Sequence, residues 1–171
     1  EMCIRDSAKG YFSTVDFSTN RRLRAKVTDE NNCNGEDVVL GFLKYPLSYW
    51  VINTTEYGVA YMGGSGSGSS GPRSCHFKVY DSSDGSDVTT ENFTAPIIME
   101  IKWTSSSAYL EYSDGNSYSI TSNIPTGNLP VGIFTGSGWA SGCTPVIAVD
   151  WIAVAKIVSP EPTYTVGSEE T

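Results

Sequence analysis

The stretch IIMEIKWTSSSAYLEYS, residues 97–113, alternates on both sides of a break. Ile97, Met99, Ile101 and Trp103 fall on one face, leaving Glu100 and Lys102 to the other. A period of two is that of a strand with one buried side. Residues 104–106 make a turn, and 107–113 return as a second arm. SDGNS (113–117) is the next turn signal.

Moving outward, the same reading repeats. YFSTVDFS (11–18) alternates, and RLRAKVTD (22–29) sets Leu23, Ala25 and Val27 against Arg22, Arg24 and Lys26. DVVLGFLK (37–44) is nearly all apolar and reads as a buried strand. YWVIN (49–53), YGVAYMG (57–63), CHFKVY (75–80), SYSIT (117–121) and LPVGIFTG (129–136) are further strand candidates. AVDWIAVAKI (148–157) closes the series, with Val149, Trp151, Ala153, Ala155 and Ile157 on one expected face. Its other face holds Asp150 between Ala148 and Ile152, and a half-buried carboxylate needs a partner. If residues 22–28 run antiparallel beside this strand, Arg24 or Lys26 faces Asp150. No segment has a helical period. Many short strands between Gly, Asn and Asp turns predict an all-β, two-sheet antiparallel sandwich.

Composition agrees and narrows the function. The 171 residues suffice for one domain with a full core. A net charge of −8 disfavours nucleic acid as a partner. No apolar run is long enough to cross a bilayer as a helix. Aromatic residues at 12%, charged residues at 18% and 17 glycines fit an extracellular or cell-surface β protein. No signal peptide opens the chain, which reads as a mature form or a fragment. EMCIRDS (1–7) resembles the translation of a library-preparation adapter, as in an assembled environmental sequence, so residues 1–8 are expected to be non-native or disordered. The sandwich is then expected over 9–158, with an extended Pro-containing tail or linker over 159–171.

The cysteines, Cys3, Cys33, Cys75 and Cys143, have no CxxC spacing, which argues against a zinc ribbon or a thioredoxin-like site. They suit disulfides in an oxidising compartment. The single histidine, His76, reads as structural. GGSGSGSSG (63–71) reads as a flexible loop; no Lys-Ser/Thr follows it to make a phosphate cradle. DSSDGSD (81–87) resembles a calcium loop in composition only and reads as a solvated turn. Asn53 in NTT and Asn92 in NFT are glycosylation acceptors by pattern.

The order of these strands resembles the concanavalin A-like lectin/glucanase superfamily, of the kind found in large prokaryotic surface proteins. IKWTSSSAYLEYSDG (101–115) is its most specific piece, and DWIAVAKIVSPEPTYTVG (150–167) is similar to the close of such domains. The resemblance implies a jelly roll and leaves function open, because the fold hosts hydrolases, lectins and spacers. Family-16 hydrolases place a Glu-x-Asp-x-x-Glu run on a strand of the concave face. The corresponding EYGVAYMGG (56–64) holds Glu56 and nothing acidic after it. Glu100 and Glu111 read as solvated strand faces near Lys102. This departure from the family's catalytic run points to a non-enzyme.

In calcium-binding relatives a matching Asp-Trp on the final strand helps hold a structural calcium. Asp150 is thus a candidate calcium ligand as well as a candidate ion-pair partner. The strands 22–29 and 146–157 are antiparallel neighbours in the resembled fold, so Cys33 and Cys143 become the favoured disulfide. Cys75 is then left over, or joined to Cys3 or to another chain. Tyr45, Tyr49, Trp50, Tyr57, Tyr61 and Trp139 lie near loops, and Trp50, Trp139 and Tyr49 are the chosen sugar-stacking candidates. In the tail, Thr163, Tyr164, Thr165 and Val166 are strand-prone and suited to adding to another module's sheet edge. The reading is a non-catalytic structural or adhesive component of a cell-surface assembly or filament, partnered by copies of itself or neighbouring surface domains. The alternative is a carbohydrate-binding module with glycan partners.

Overall fold

The structure, a computed structural model, describes residues 9–31, 38–44, 58–63, 75–81, 84–135 and 146–159. All regular structure there is strand: β1 (Lys9–Phe17), β2 (Arg21–Asn31), β3 (Val38–Leu43), β4 (Gly58–Gly63), β5 (Cys75–Asp81), β6 (Asp84–Thr90), β7 (Ile97–Trp103), β8 (Ala108–Tyr112), β9 (Ser117–Ile120), β10 (Leu129–Thr135) and β11 (Val146–Lys156). They form a six-stranded sheet, β1-β10-β3-β4-β5-β6, and a five-stranded sheet, β11-β2-β7-β8-β9. Every pairing is antiparallel. This is the expected two-sheet jelly roll.

The decisive hairpin forms as its pattern predicts. β7 buries Ile97, Met99, Ile101 and Trp103, and β8 buries Ala108, Leu110 and Tyr112 opposite them. Thr104 closes the turn: its N–H and its hydroxyl both donate to Ser107 O, each at 2.9 Å. At the next turn Gly115 takes φ +101°, a conformation L side chains resist, while Asp114 Oδ1 accepts from the Asn116 N–H.

The main core lies between the sheets. Leu23, Ala25 and Val27 of β2 meet Leu40 and Phe42 of β3, Val59 and Tyr61 of β4, Phe77 and Val79 of β5, and the buried row of β7. Trp103 is its largest fully buried side chain, 5.4 Å ring to ring from Phe42, with Nε1–H donating to Pro125 O at 2.9 Å.

Two expectations need correction. Residues 84–87, read as part of a solvated turn, begin strand β6, which pairs with β5 from Asp81↔Asp84 to Cys75↔Thr90. Cross-strand pairing and burial of Thr90 with partial burial of Val88 override the poor strand propensity of Asp, Gly and Ser. The single apolar face expected over 149–157 is also split. The β2–β11 register breaks at Ala148/Val149 and Val149/Trp151, leaving Thr28 and Asp150 as extra residues on their strands. Val149 packs on the core, but Trp151 then pairs with outward Lys26, whereas Ile152 and Val154 pair with buried Ala25 and Leu23. Past the bulge the inward set is therefore Ile152 and Val154, not Trp151, Ala153 and Ala155.

Candidate functional site

Strand alternation gives the six-stranded sheet an outer face built from Phe12, Phe134, Gly132, Val39, Gly41, Leu43, Ala60 and Met62, followed by His76, Lys78, Tyr80 and Asp87. Its middle is apolar: Val39, Leu43, Ala60 and Met62 form a second buried cluster, with Phe12, Tyr80 and Phe134 packed against it. On β4 the outward positions are Gly58, Ala60 and Met62, so this strand presents no carboxylate on that face. Glu56 lies outside the described residues.

The side toward β6 is polar. His76 Nδ1 lies 2.8 Å from Asp87 Oδ1, and Lys78 Nζ is 3.6 Å from Asp87 Oδ2. Burial, and after it the Asp87 charge, pushes the Tyr80 phenol above its ordinary range. His76 is thus part of a row of polar groups beside Met62 and Tyr80. Sequence reading missed the pairing because it assigned Asp87 to a turn; the alternation of Asp87 and Thr89 with Val88 and Thr90 was the available signal.

At one end of the core sits a buried polar cluster. The Tyr61 hydroxyl meets Glu30 Oε1 at 2.5 Å and Cys75 Sγ at 3.1 Å, and Cys75 Sγ donates to Asn92 Oδ1 at 2.9 Å. Burial, reinforced by the Glu30 carboxylate, holds the Tyr61 phenol protonated far above the usual tyrosine range, so it is the donor to Glu30. Burial also raises Tyr112; the nearby Thr90 hydroxyl pulls the other way but falls short of hydrogen-bond geometry. Tyr61 is therefore a core group and not an exposed sugar platform. Tyr61→Phe, which removes the donor from Glu30, is expected to cost about 1–3 kcal/mol in urea unfolding. A loss under about 0.5 kcal/mol contradicts this role.

On the outer face of the five-stranded sheet, Glu100 and Glu111 pair across β7–β8, with Lys102 Nζ 3.3 Å from Glu100 and 3.0 Å from Glu111. Arg24 Nε reaches Glu100 at 3.0 Å and Arg22 Nη1 at 3.8 Å. Both carboxylates are neutralised by cations instead of standing free for acid–base work.

Asp150 has its partner in Lys26. As the extra residue of the bulge its side chain is 52% exposed, so no burial cost arises, and Oδ2 accepts from Lys26 Nζ at 2.9 Å. Such a half-exposed pair is worth about 0–1 kcal/mol. Calcium needs six to eight oxygens. Asp150 supplies one carboxylate, already facing the Lys26 ammonium, and no group of three or more His, Cys, Asp or Glu stands beside it among the described residues. If Asp150 also ligates calcium, chelator should lower the melting temperature by several degrees; an unchanged melting curve leaves the ion pair alone.

Cys33, Cys143, Asn53, Tyr49, Trp50, Trp139 and Thr163–Val166 lie outside the described residues. The strand ends that flank the cysteine pair are neighbours, Asn31 pairing with Val146. Asn92 is exposed, with its Oδ1 engaged by Cys75.

No protein-family model matches the chain, and no curated protein matches its sequence. Solved structures do match its shape. A β-1,3-1,4-glucanase (lichenase) from a mouse hindgut metagenome aligns with TM-score 0.64 and 16% identity over 86% of this chain and 71% of its own. A legume lectin-like domain from Entamoeba histolytica gives 0.61 and 12% over 88% and 79%. An immunostimulatory antigen and pseudo β-1,3-glucanase of Mycobacterium tuberculosis gives 0.59 and 12% over 86% and 68%. The fold is that of the concanavalin A-like lectins and glucanases.

Proposed function

We propose that this protein is a non-catalytic β-sandwich module with a structural or adhesive role in an extracellular or cell-surface assembly, partnered by copies of itself or neighbouring surface domains. The observation that carries this reading is the outer face of β4, where Gly58, Ala60 and Met62 stand on the strand that the resemblance equates with a catalytic one. Retaining glycoside hydrolysis needs two carboxylates about 5–5.5 Å apart. An apolar, buried sheet face serves packing instead. Incubation with β-1,3- and β-1,3-1,4-glucans is expected to release no reducing ends; turnover on either would overturn the reading.

A second reading, a carbohydrate-binding module, is favoured by the polar row His76, Lys78 and Asp87 beside Met62 and Tyr80. Such a mix suits sugar hydroxyls and ring faces. Reproducible glycan-array binding that weakens with Asp87→Ala or Trp139→Ala selects it. The extracellular reading brings a Cys33–Cys143 disulfide and glycans on Asn53 and Asn92, which non-reducing peptide mapping checks directly.

A further inference from the structure

The two layers approach each other at β10–β11 and at β6–β9, so the edge strands β1 and β11 share one flank. The β6–β9 flank is closed: Ser86 Oγ lies 2.7 Å from Ser122 Oγ, and Asn123 Nδ2 donates to Ser86 at 3.1 Å. Among the described residues no strand closes the β1–β11 flank. Tyr11 pairs with Ile133 and Ile152 with Ala25, both on the interlayer side, yet Tyr11 is 81% and Ile152 39% exposed. Of the large exposed apolar side chains among the described residues, all but Tyr109 and Val158 belong to β1 or β11. β2 is the only ladder partner of β11 among those residues, so within them the far edge of β11 has no neighbouring strand.

We propose that the β11 edge, along Trp151–Lys156, accepts residues 163–166 of a second copy as an added strand. This rests on the structural reading above and names the contact through which copies join. Register and side-chain alternation choose the occupant. The register of β11 is regular from Trp151 to Lys156 and interrupted at Asp150, which offers a short acceptor long enough for the four-residue donor. In the donor, Tyr164 and Val166 fall on one face and Thr163 and Thr165 on the other. A docked strand can thus turn its Tyr and Val toward Ile152 and the open interlayer.

Charge agrees. Arg22, Arg24, Lys26 and Lys156 of β2 and β11 outnumber Glu100 and Asp150, the carboxylates that pair with three of them, on a chain whose net charge is −8, while Glu161, Glu169 and Glu170 flank the donor. Joining two β11 edges would instead bring two such basic ladders together. Return of a chain's own tail is disfavoured by Pro160 and Pro162, which bias Ser159 and Glu161 toward extended backbone and away from a tight reversal.

The test compares the full chain with its Tyr164→Pro, Val166→Pro double variant, which removes two donor N–H groups at positions outside strands β1 to β11. Unchanged far-UV circular dichroism checks that the variant folds. The parent is expected to gain mass with concentration and the variant to remain a single chain. Amides 152–156 should exchange about tenfold slower in the assembled parent than in the variant, and raising salt from about 0.1 to 1 M should weaken assembly. Assembly that persists in the variant overturns the strand contact and leaves the structural reading standing. Protection of 152–156 in a dilute single chain above that in the variant means the tail folds back, and also overturns it. A chain that stays single at every concentration removes both.

Discussion

Trp103→Ala should lower the unfolding free energy by about 3–5 kcal/mol, the range for truncating a large buried aromatic. Trp103 ends β7 fully buried, tilted against Phe42 across the interlayer, and its indole N–H holds Pro125 O on the connection between β9 and β10. Truncation leaves a cavity between the layers and strips that carbonyl of its donor. The two losses add, because the surrounding strands are tied into ladders and collapse only partly. Urea unfolding with an unchanged slope and a lower midpoint reads the effect. Trp103→Phe keeps most of the volume and should cost clearly less. A Trp103→Ala loss below about 1.5 kcal/mol would mean that the core is not centred on this ring.

Gly41→Val is the second large effect, about 3 kcal/mol, at the upper end of overpacking costs. Gly41 sits in β3 between β10 and β4, paired with Gly132 on one side and Ala60 on the other. A Cβ there would fall on the Val59 carbonyl oxygen and within 2.6 Å of Ala60 Cα. Those are backbone atoms of a central strand, so relief requires β3 and β4 to move apart. Gly127→Ala is the control: a Cβ at Gly127 meets nothing within 4 Å and should change stability by under about 0.5 kcal/mol. Equal effects at the two positions would contradict the close approach of β3 and β4.

Much of this was readable from residues alone, for physical reasons. Ile97, Met99, Ile101 and Trp103 alternate without interruption, and a strand buried on one face records its register in its sequence. The Asp-Gly turn after β8 is equally explicit, since Gly115 supplies a φ that other residues avoid. Leu23, Ala25 and Val27 against Arg22, Arg24 and Lys26 gave β2 and the cation that pairs with Asp150.

Where reading failed, the pattern was broken by geometry that has no local signal. The bulge at Asp150 moves Trp151 to the outside and Ile152 to the inside, and it shows only once β11 is paired with β2. β6 hides because an edge strand rich in Asp, Gly and Ser is indistinguishable from a turn until its neighbour β5 is placed. Tyr61 looked like a loop aromatic, yet alternation along β4 sends it inward to Glu30 and Cys75. The outer face of the six-stranded sheet was legible only in part. Val39, Leu43, Ala60 and Met62 sit in nearly continuous apolar runs, which say that both faces are buried without saying what each face does.

Sedimentation equilibrium of the full chain, from about 1 to several hundred micromolar, the span that covers ordinary weak association, tests the structural reading most directly. An exposed flank bearing Tyr11, Val15, Trp151 and Ile152 predicts a weight-average mass that climbs above that of one chain as concentration rises. A mass of one chain at every concentration, in a protein that binds a glycan reproducibly, would contradict it.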